Sequence, residues 1–401
     1  MRATDLQALA IATVSVNSAF DTIVSDVSAA LNTLGVSSRT LHQTPGQPGI
    51  GLAQALIGHM RSDGMPSFIL SCNAKDRFVL RQEQGRDITI HEAWAMPMVA
   101  LMLDHPALHL ENLLRAPQNT IITVIDEGHL VFLNHAGLNA RTQIFCPHGG
   151  PEPIPHPRPS RERPIDLLFS GHILSPAPIP LWLDTASGGQ SCVRGGLEEA
   201  FDAVRSEGQE IYTALVAAFQ RRGLVATPMA LAKHVIALDS YAMQLRRHEI
   251  LRNITCRRVV ILGEIGDSRG LDHHDLRGPT SFAKTRSLMA NAKILINSRW
   301  TFGRGGHERI FYGMSRGAVI ATEQSTFLSE DLSQEIGMFA LPHDLTTVND
   351  RLNERLNDPE HLDEIRARGF TGYRQRHSWQ ERMSRLLPYL YDYYDAARSP
   401  C

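Results

Sequence analysis

Short apolar runs alternate with amphipathic stretches along most of this chain. Residues 9–16 form the first apolar run. Residues 19–34 follow, with Phe20, Ile23, Val27, Ala30 and Leu34 spaced for one helix face. Gly35 closes that helix as a C-cap. Residues 67–70, 98–103, 120–125 and 142–146 read as further short buried strands. Buried strands separated by helices predict a parallel sheet covered on both faces.

Residues 147–164 break the pattern with seven prolines. Such a segment fits neither a helix interior nor a central strand, and it reads as a stiff linker. A second series follows it. Residues 165–170 form a strand ending at Gly171, and residues 193–222 and 228–253 are long helical stretches. Residues 257–262 form a strand ending at Gly263. Then come a helix at 280–291, a strand at 293–297, a helix at 307–316 and strands at 318–322 and 338–341. The tail from about 344 onward is helical. The expected domains are 1–150, a hinge at 151–164, a second domain at 165–375 and a final helix at 376–401.

Composition narrows the class. The chain has 401 residues, of which 43% are hydrophobic and 20% charged. That length suggests two to three domains with full cores. Lys plus Arg is 40 against Asp plus Glu at 42, which gives no support for non-specific nucleic-acid binding. A local cationic pocket stays open. Apolar stretches such as 96–103 are far too short to span a bilayer. The N-terminus has no clustered basic region and no convincing cleavage site. Cys72, Cys146, Cys192, Cys256 and Cys401 are scattered, which argues for a reducing compartment and against a disulfide or zinc framework. The expected location is cytoplasmic.

The segment from Gly303 to Thr322 carries the most chemistry. It runs from a Gly-rich turn into a helix and then a strand, and Arg299, Arg304 and Arg309 lie in or beside the turn. A helix opening after such a turn offers unpaired N–H groups and a positive dipole end to an anion. Gly305 and Gly306 would let the backbone approach a diphosphate. His307 would hydrogen-bond it, and an arginine would neutralise charge on a leaving nucleotide. Glu308 is a candidate for sugar or ribose hydroxyls.

This text resembles the donor-binding segment of group 1 GT-B glycosyltransferases, closest to the spore-maturation branch. The resemblance covers residues 258–390 best. It implies two Rossmann-like domains facing across a cleft, with parallel sheets and C-terminal helices crossing back. It also implies transfer of a sugar from a nucleotide-sugar donor to a glycan, lipid-linked or protein acceptor, with no metal and no further cofactor. Many of these enzymes carry two glutamates eight residues apart here. In this chain those places hold Arg304 and Tyr312. Glu308, and after it Glu323, are the substitutes.

Similar enzymes place the nucleotide base against the loop after the strand at 257–262, so Gly263 and Phe282 join the donor set. Gly171 matches the glycine that lets the chain pass close to the donor phosphates. Asp272-His273-His274-Asp275 could be read as a metal site, but adjacent histidines point apart and no further ligands cluster with them. The catalytic base would come from the first domain. Asp104 and His105 follow a buried strand, and Pro106 opens the next helix at N1. Asp126 with His129 makes a second set, and His148 a third. Two rivals remain open at this stage. One is a sugar-nucleotide epimerase or hydrolase of the same fold. The other is a non-catalytic nucleotide-binding module.

Overall fold

A computed structural model describes residues 6–12, 19–42, 50–139, 141–174, 176–299 and 302–398. Residues 13–16 of the first apolar run lie outside the described residues, as do residues 1–5 and Cys401. The chain divides into two compact units. The first takes the described residues up to Ile125, Leu133–Pro151 and the C-terminal stretch from His377. The second takes Asp126–Phe132 and Glu152–Arg376.

Unit 1 begins with β1 (Gln7–Ala12), α1 (Ala19–Thr33), β2 (Ser37–His42), α2 (Ile50–Asp63) and β3 (Phe68–Cys72). A hairpin of β4 (Val79–Glu83) and β5 (Arg86–Thr89) follows, then α3 (Ile90–Ala93) and β6 (Met98–Leu101). Next come α4 (Leu110–Arg115), β7 (Thr120–Val124), α5 (Gly128–His135), whose first residues group with unit 2, and β8 (Gln143–Phe145). The six main strands run parallel in the order β2-β1-β3-β6-β7-β8. Every residue of β3, β6 and β7 is buried. That is why these strands read as unbroken apolar runs.

Unit 2 has β9 (Ile165–Ser170), α6 (Ile179–Ser187), α7 (Ser191–Glu207), α8 (Ile211–Arg221) and the long α9 (Pro228–Asn253). It continues with β10 (Val259–Leu262), β11 (Asp275–Gly278), α10 (Phe282–Met289), β12 (Ala292–Asn297), α11 (Glu308–Ser315) and β13 (Val319–Thr322). It ends with α12 (Ser329–Ser333), β14 (Met338–Ala340), α13 (Val348–Asn357) and α14 (Pro359–Arg376). Its strands are parallel in the order β11-β10-β9-β12-β13-β14. This is the dinucleotide-fold order, in which direction of winding reverses between β9 and β12. Where the sequence reads one helix over 193–222, the structure has two. Gly208 sits at φ 66 and ends α7, and Glu210 then caps α8 by accepting from the Tyr212 and Thr213 amides, each at 2.8 Å. The proline segment runs along unit 2, with the Ile154 amide donating to Ser315 O and Arg163 donating to Ala292 O.

The last helix, α15 (Trp379–Arg398), belongs to unit 1 and packs on α1. Trp379, Met383, Leu386, Leu387 and Leu390 are buried, while Tyr391 is half-buried. Arg382, almost wholly buried, donates from Nε to the carbonyls of Pro147 and His148. Chain order thus does not set unit membership here.

The ends of β9 and β10 come very close. Gly263 has φ 128, and a Cβ there would lie 2.4 Å from the Gly171 carbonyl oxygen. A Gly263→Ala change therefore meets both backbone strain and a backbone clash. It should cost about 2–4 kcal/mol of stability, read by urea unfolding.

Candidate functional site

Open α/β sheets take ligands at the carboxyl ends of strands where winding reverses. In unit 2 that place is the end of β9 beside the end of β12. The loop after β9 is held by one face of α9. The Arg247 Nη1 donates to His172 O at 2.9 Å, and the Leu174 amide donates to Gln244 Oε1 at 2.9 Å. The His248 Nε2 donates to Leu174 O at 3.0 Å, and the Tyr241 hydroxyl to Ala177 O at 2.7 Å. Positions 241, 244, 247 and 248 share one helix face. Their four hydrogen bonds fix this loop.

The N-terminus of α11 brings His307, Glu308 and Arg309 to the same place. Arg309 lies over the Phe169 ring of β9, 5.3 Å from its centroid. Its Nη2 would be 3.1 Å from a Cβ at position 171, so Gly171 leaves room for a guanidinium. His307 Nδ1 is 2.6 Å from Glu308 Oε2, and its Nε2 is 3.3 Å from Arg309 Nη2. The short contact assigns the proton to Nδ1, so Nε2 accepts from Arg309. The Arg309 amide, 3.4 Å from that same Nδ1, is the weaker claim on it. Burial first, then Arg309, holds the His307 imidazolium down to about 4, so the ring is neutral at pH 7.

Arg247 is the residue that sequence reasoning missed. It lies within α9, about sixty residues before the phosphate turn, and only its burial marks it. Both Arg247 and Arg309 are 5% exposed. Neither is in ion-pair contact with a carboxylate among the described residues. Arg309 Nη1 and Arg247 Nε are buried without a hydrogen-bond partner. Burial, followed by repulsion from Arg309, lowers Arg247 to about 9, partly offset by Glu308 and Asp239. It still carries its charge at neutral pH.

The other cations of the turn face elsewhere. The Arg299 amide donates to Glu323 Oε2 at 3.0 Å, and its side chain is in the field of Glu323, Asp126 and Arg246. The Arg304 side chain is exposed, and its amide donates to Asp126 Oδ2 at 2.7 Å. Gly305 pairs with Asp126 as an antiparallel bridge, so this backbone is already engaged. Gly306 is small for packing reasons, since a Cβ there would meet the Phe311 ring at 2.8 Å. Glu323 is a correction to the sequence reading. It is buried and accepts from Arg246 Nε at 2.8 Å, which spends it on structure rather than on hydroxyls. Phe282, half-buried, meets the buried Tyr312 ring edge-on at 5.0 Å, as a core aromatic would. His274 bridges the Val259 amide and Leu251 O, and His273 Nε2 donates to Ile254 O. The pair fastens the end of α9 to β10.

In unit 1, Asp104 follows β6 at the carboxyl edge of the sheet. Its partner is His109, not His105. His109 Nε2 and Asn73 Nδ2 both donate to Asp104 Oδ2, at 3.1 and 3.0 Å. Asn73 holds φ 55 and also accepts the Leu103 amide at 2.8 Å, so a strained residue orients the carboxylate. Asp104 is half-exposed. His105 caps a 3-10 turn at Pro106–His109, with Nδ1 accepting from the Ala107 amide at 3.0 Å. Burial pushes it down to about 3. Its basic lone pair is therefore committed to the cap. His148 is buried edge-on to Trp379. His129 is buried in the first turn of α5.

A parallel sheet of dinucleotide order with paired buried arginines at its reversal point is a place suited to an anionic group. Residues 246–388 match the family described as glycosyl transferase-like. An α-glucosyltransferase solved with UDP and a 13-mer DNA containing a HMU base superposes with a TM-score of 0.54. That alignment covers 96% of this chain and 98% of the other, at 9% identity. Another structure of an α-glucosyltransferase with UDP and such a DNA gives a TM-score of 0.51 over 96% and 99%, at 8% identity. At such identities the likeness speaks for the fold. A search of curated proteins found no match. Residues 246–388 thus carry a glycosyl transferase-like match, and the fold of the chain is that of GT-B glycosyltransferases. The match is to a broad family and does not distinguish a branch within it. No helix among the described residues is long and apolar enough to cross a membrane.

Asp126 gives this site a pH signature. It is fully buried, its Oδ1 accepts from the Gly128 amide, and burial raises it to about 6. A carboxyl raised in the folded state adds stability at low pH and loses it as pH climbs. The stability of wild type relative to Asp126→Asn should fall by about 3 kcal/mol between pH 4 and pH 7, read by urea unfolding across that range.

Proposed function

We propose that Arg247 and Arg309 grip the diphosphate of the donor at the reversal point of unit 2. The N-terminus of α11 and neutral His307 stand beside it. Two buried guanidiniums with unsatisfied nitrogens and no carboxylate in contact carry this reading. A buried cation left so is costly unless an anion completes it. In the reaction an acceptor oxygen bonds to the anomeric carbon, and the bond to the diphosphate oxygen breaks. The electron pair leaves with the nucleoside diphosphate, where the arginines neutralise it. The chain needs no metal for this step on our reading, because fixed cations do that work. Nor does it need a cofactor beyond the co-substrate.

Asp104, oriented by His109 and Asn73, is the proposed acceptor of the hydroxyl proton, with His105 holding the turn around it. The acceptor is a glycan, a lipid-linked saccharide or a protein side chain.

Arg247→Ala and Arg309→Ala should each weaken binding of the preferred nucleotide among UDP, GDP and TDP by about 1.5–3 kcal/mol, by calorimetry. Equal binding by both variants and wild type would displace the donor from this place. Asp104→Asn should slow transfer by about 10²–10⁴ with donor binding kept. EDTA should leave turnover unchanged. Turnover that needs no acceptor would favour an epimerase or hydrolase instead.

A further inference from the structure

The end of β12 carries two neutral unsatisfied groups, on Asn297 and Ser298. Asn297 is 1% exposed and Ser298 is 6% exposed. Asn297 Nδ2 donates to Thr322 Oγ1 at 2.8 Å, which fixes the amide and leaves Oδ1 with no partner. The Ser298 hydroxyl and the Arg299 Nε are likewise buried without partners. Three consecutive residues with this defect are unusual, because native proteins satisfy nearly all buried polar atoms. They share one place as well. Ile296 pairs in register with Phe169, so Asn297 and Ser298 stand level with the end of β9 and Gly171.

The chemistry of the set differs from that of the arginines. An amide oxygen repels an anion and needs a hydrogen-bond donor. A serine hydroxyl can give or accept. A ligand that satisfies both offers hydroxyl groups. Meanwhile the two places where glutamates would take such hydroxyls hold Arg304, which is exposed, and Tyr312, which is fully buried in the core. Two nearby glutamates have other work. Glu323 binds Arg246, and Glu308 holds His307.

We infer that Asn297 and Ser298 read hydroxyl groups of the donor, on its ribose or its sugar, in place of the missing glutamates. This rests on the donor site proposed above. The division is simple: Arg247 and Arg309 take the charge, and the end of β12 takes the hydroxyls.

Ser298→Ala is the cleanest test, since it deletes an unsatisfied buried hydroxyl and creates no new unpaired group. Its unliganded melting temperature should equal or exceed that of wild type. Its affinity for the preferred donor, chosen from UDP-, GDP- and TDP-glucose, should fall about fivefold to tenfold. Asn297→Ala should show a similar loss, whereas Thr322→Val, which removes the Asn297–Thr322 bond and the long bond from Thr322 to Glu323 O, should not. A loss seen with the nucleoside diphosphate as well as the glucose conjugate assigns the ribose. A loss seen with the conjugate alone assigns the sugar. If wild type binds the nucleotides and both Ser298→Ala and Asn297→Ala bind all of them as tightly, the inference is overturned and the arginine site stands. If wild type binds none of them, both fall.

Discussion

The bonds from α9 to the loop after β9 are the constraint on which the donor region depends. The strand β9 ends in Gly171 because Arg309 needs the space where a side chain would be. A glycine at that point removes packing that would otherwise hold the loop. Gln244, Arg247, His248 and Tyr241 supply the restraint from the other side, each through a backbone atom of residues 172–177. Each such bond contributes about 0.5–1.5 kcal/mol net, and together they fix one conformation. The loop after β10 is then registered to it, with Ile173 paired to Ile265 and the Gly266 amide donating to Ile173 O. Arg247 has two uses in this arrangement. One nitrogen holds the loop, and another is buried without a partner, which the proposed reading gives to the donor.

That leftover capacity explains the odd electrostatics. Burying Arg247, with Arg309 beside it as the lesser cause, lowers it to about 9 and costs folding stability. A protein shaped for stability alone would set a carboxylate in contact with each. The nearest acid, Glu308, instead bonds to His307 and fixes its proton on Nδ1. Neutral His307 then accepts from Arg309 and aims the guanidinium without adding a third positive charge. On the proposed reading, binding energy for an anion is thereby stored in the fold.

Much of this was legible in the sequence, and the remainder was hidden for physical reasons. Unbroken apolar runs revealed β3, β6, β7, β9 and β12, because central parallel strands bury both faces. The hairpin β4–β5 did not show, since β4 is exposed throughout and has no core pattern. The helix α9 was visible, but the role of Arg247 was not. A mid-helix arginine reads as solvated surface until its neighbours are known. Phe282 and Gly306 were drawn toward ligand by their position, and the structure explains both by packing against Tyr312 and Phe311. Asp104 was chosen for its place after β6. Its partner, His109, lies five residues on, and only the 3-10 turn at Pro106–His109 brings that ring back to the carboxylate.

The missing glutamates connect these points. A glutamate at 312 would have to be buried, because that position faces α10 and carries a ring 0% exposed. Tyr312 instead receives Phe282 on its edge and Arg286 at 5.7 Å from its centroid, so the helix face has become core. On the proposed reading, a core ring at 312 leaves α11 without a hydroxyl acceptor there and with phosphate chemistry alone. The hydroxyl-reading capacity then has to reside on another element that reaches the same place. The end of β12 is adjacent to β9 by strand pairing, rigid because it is inside a sheet, and furnished with unsatisfied polar atoms. A strand end can take over that role without lengthening a loop, because the sheet already fixes its distance from the phosphates.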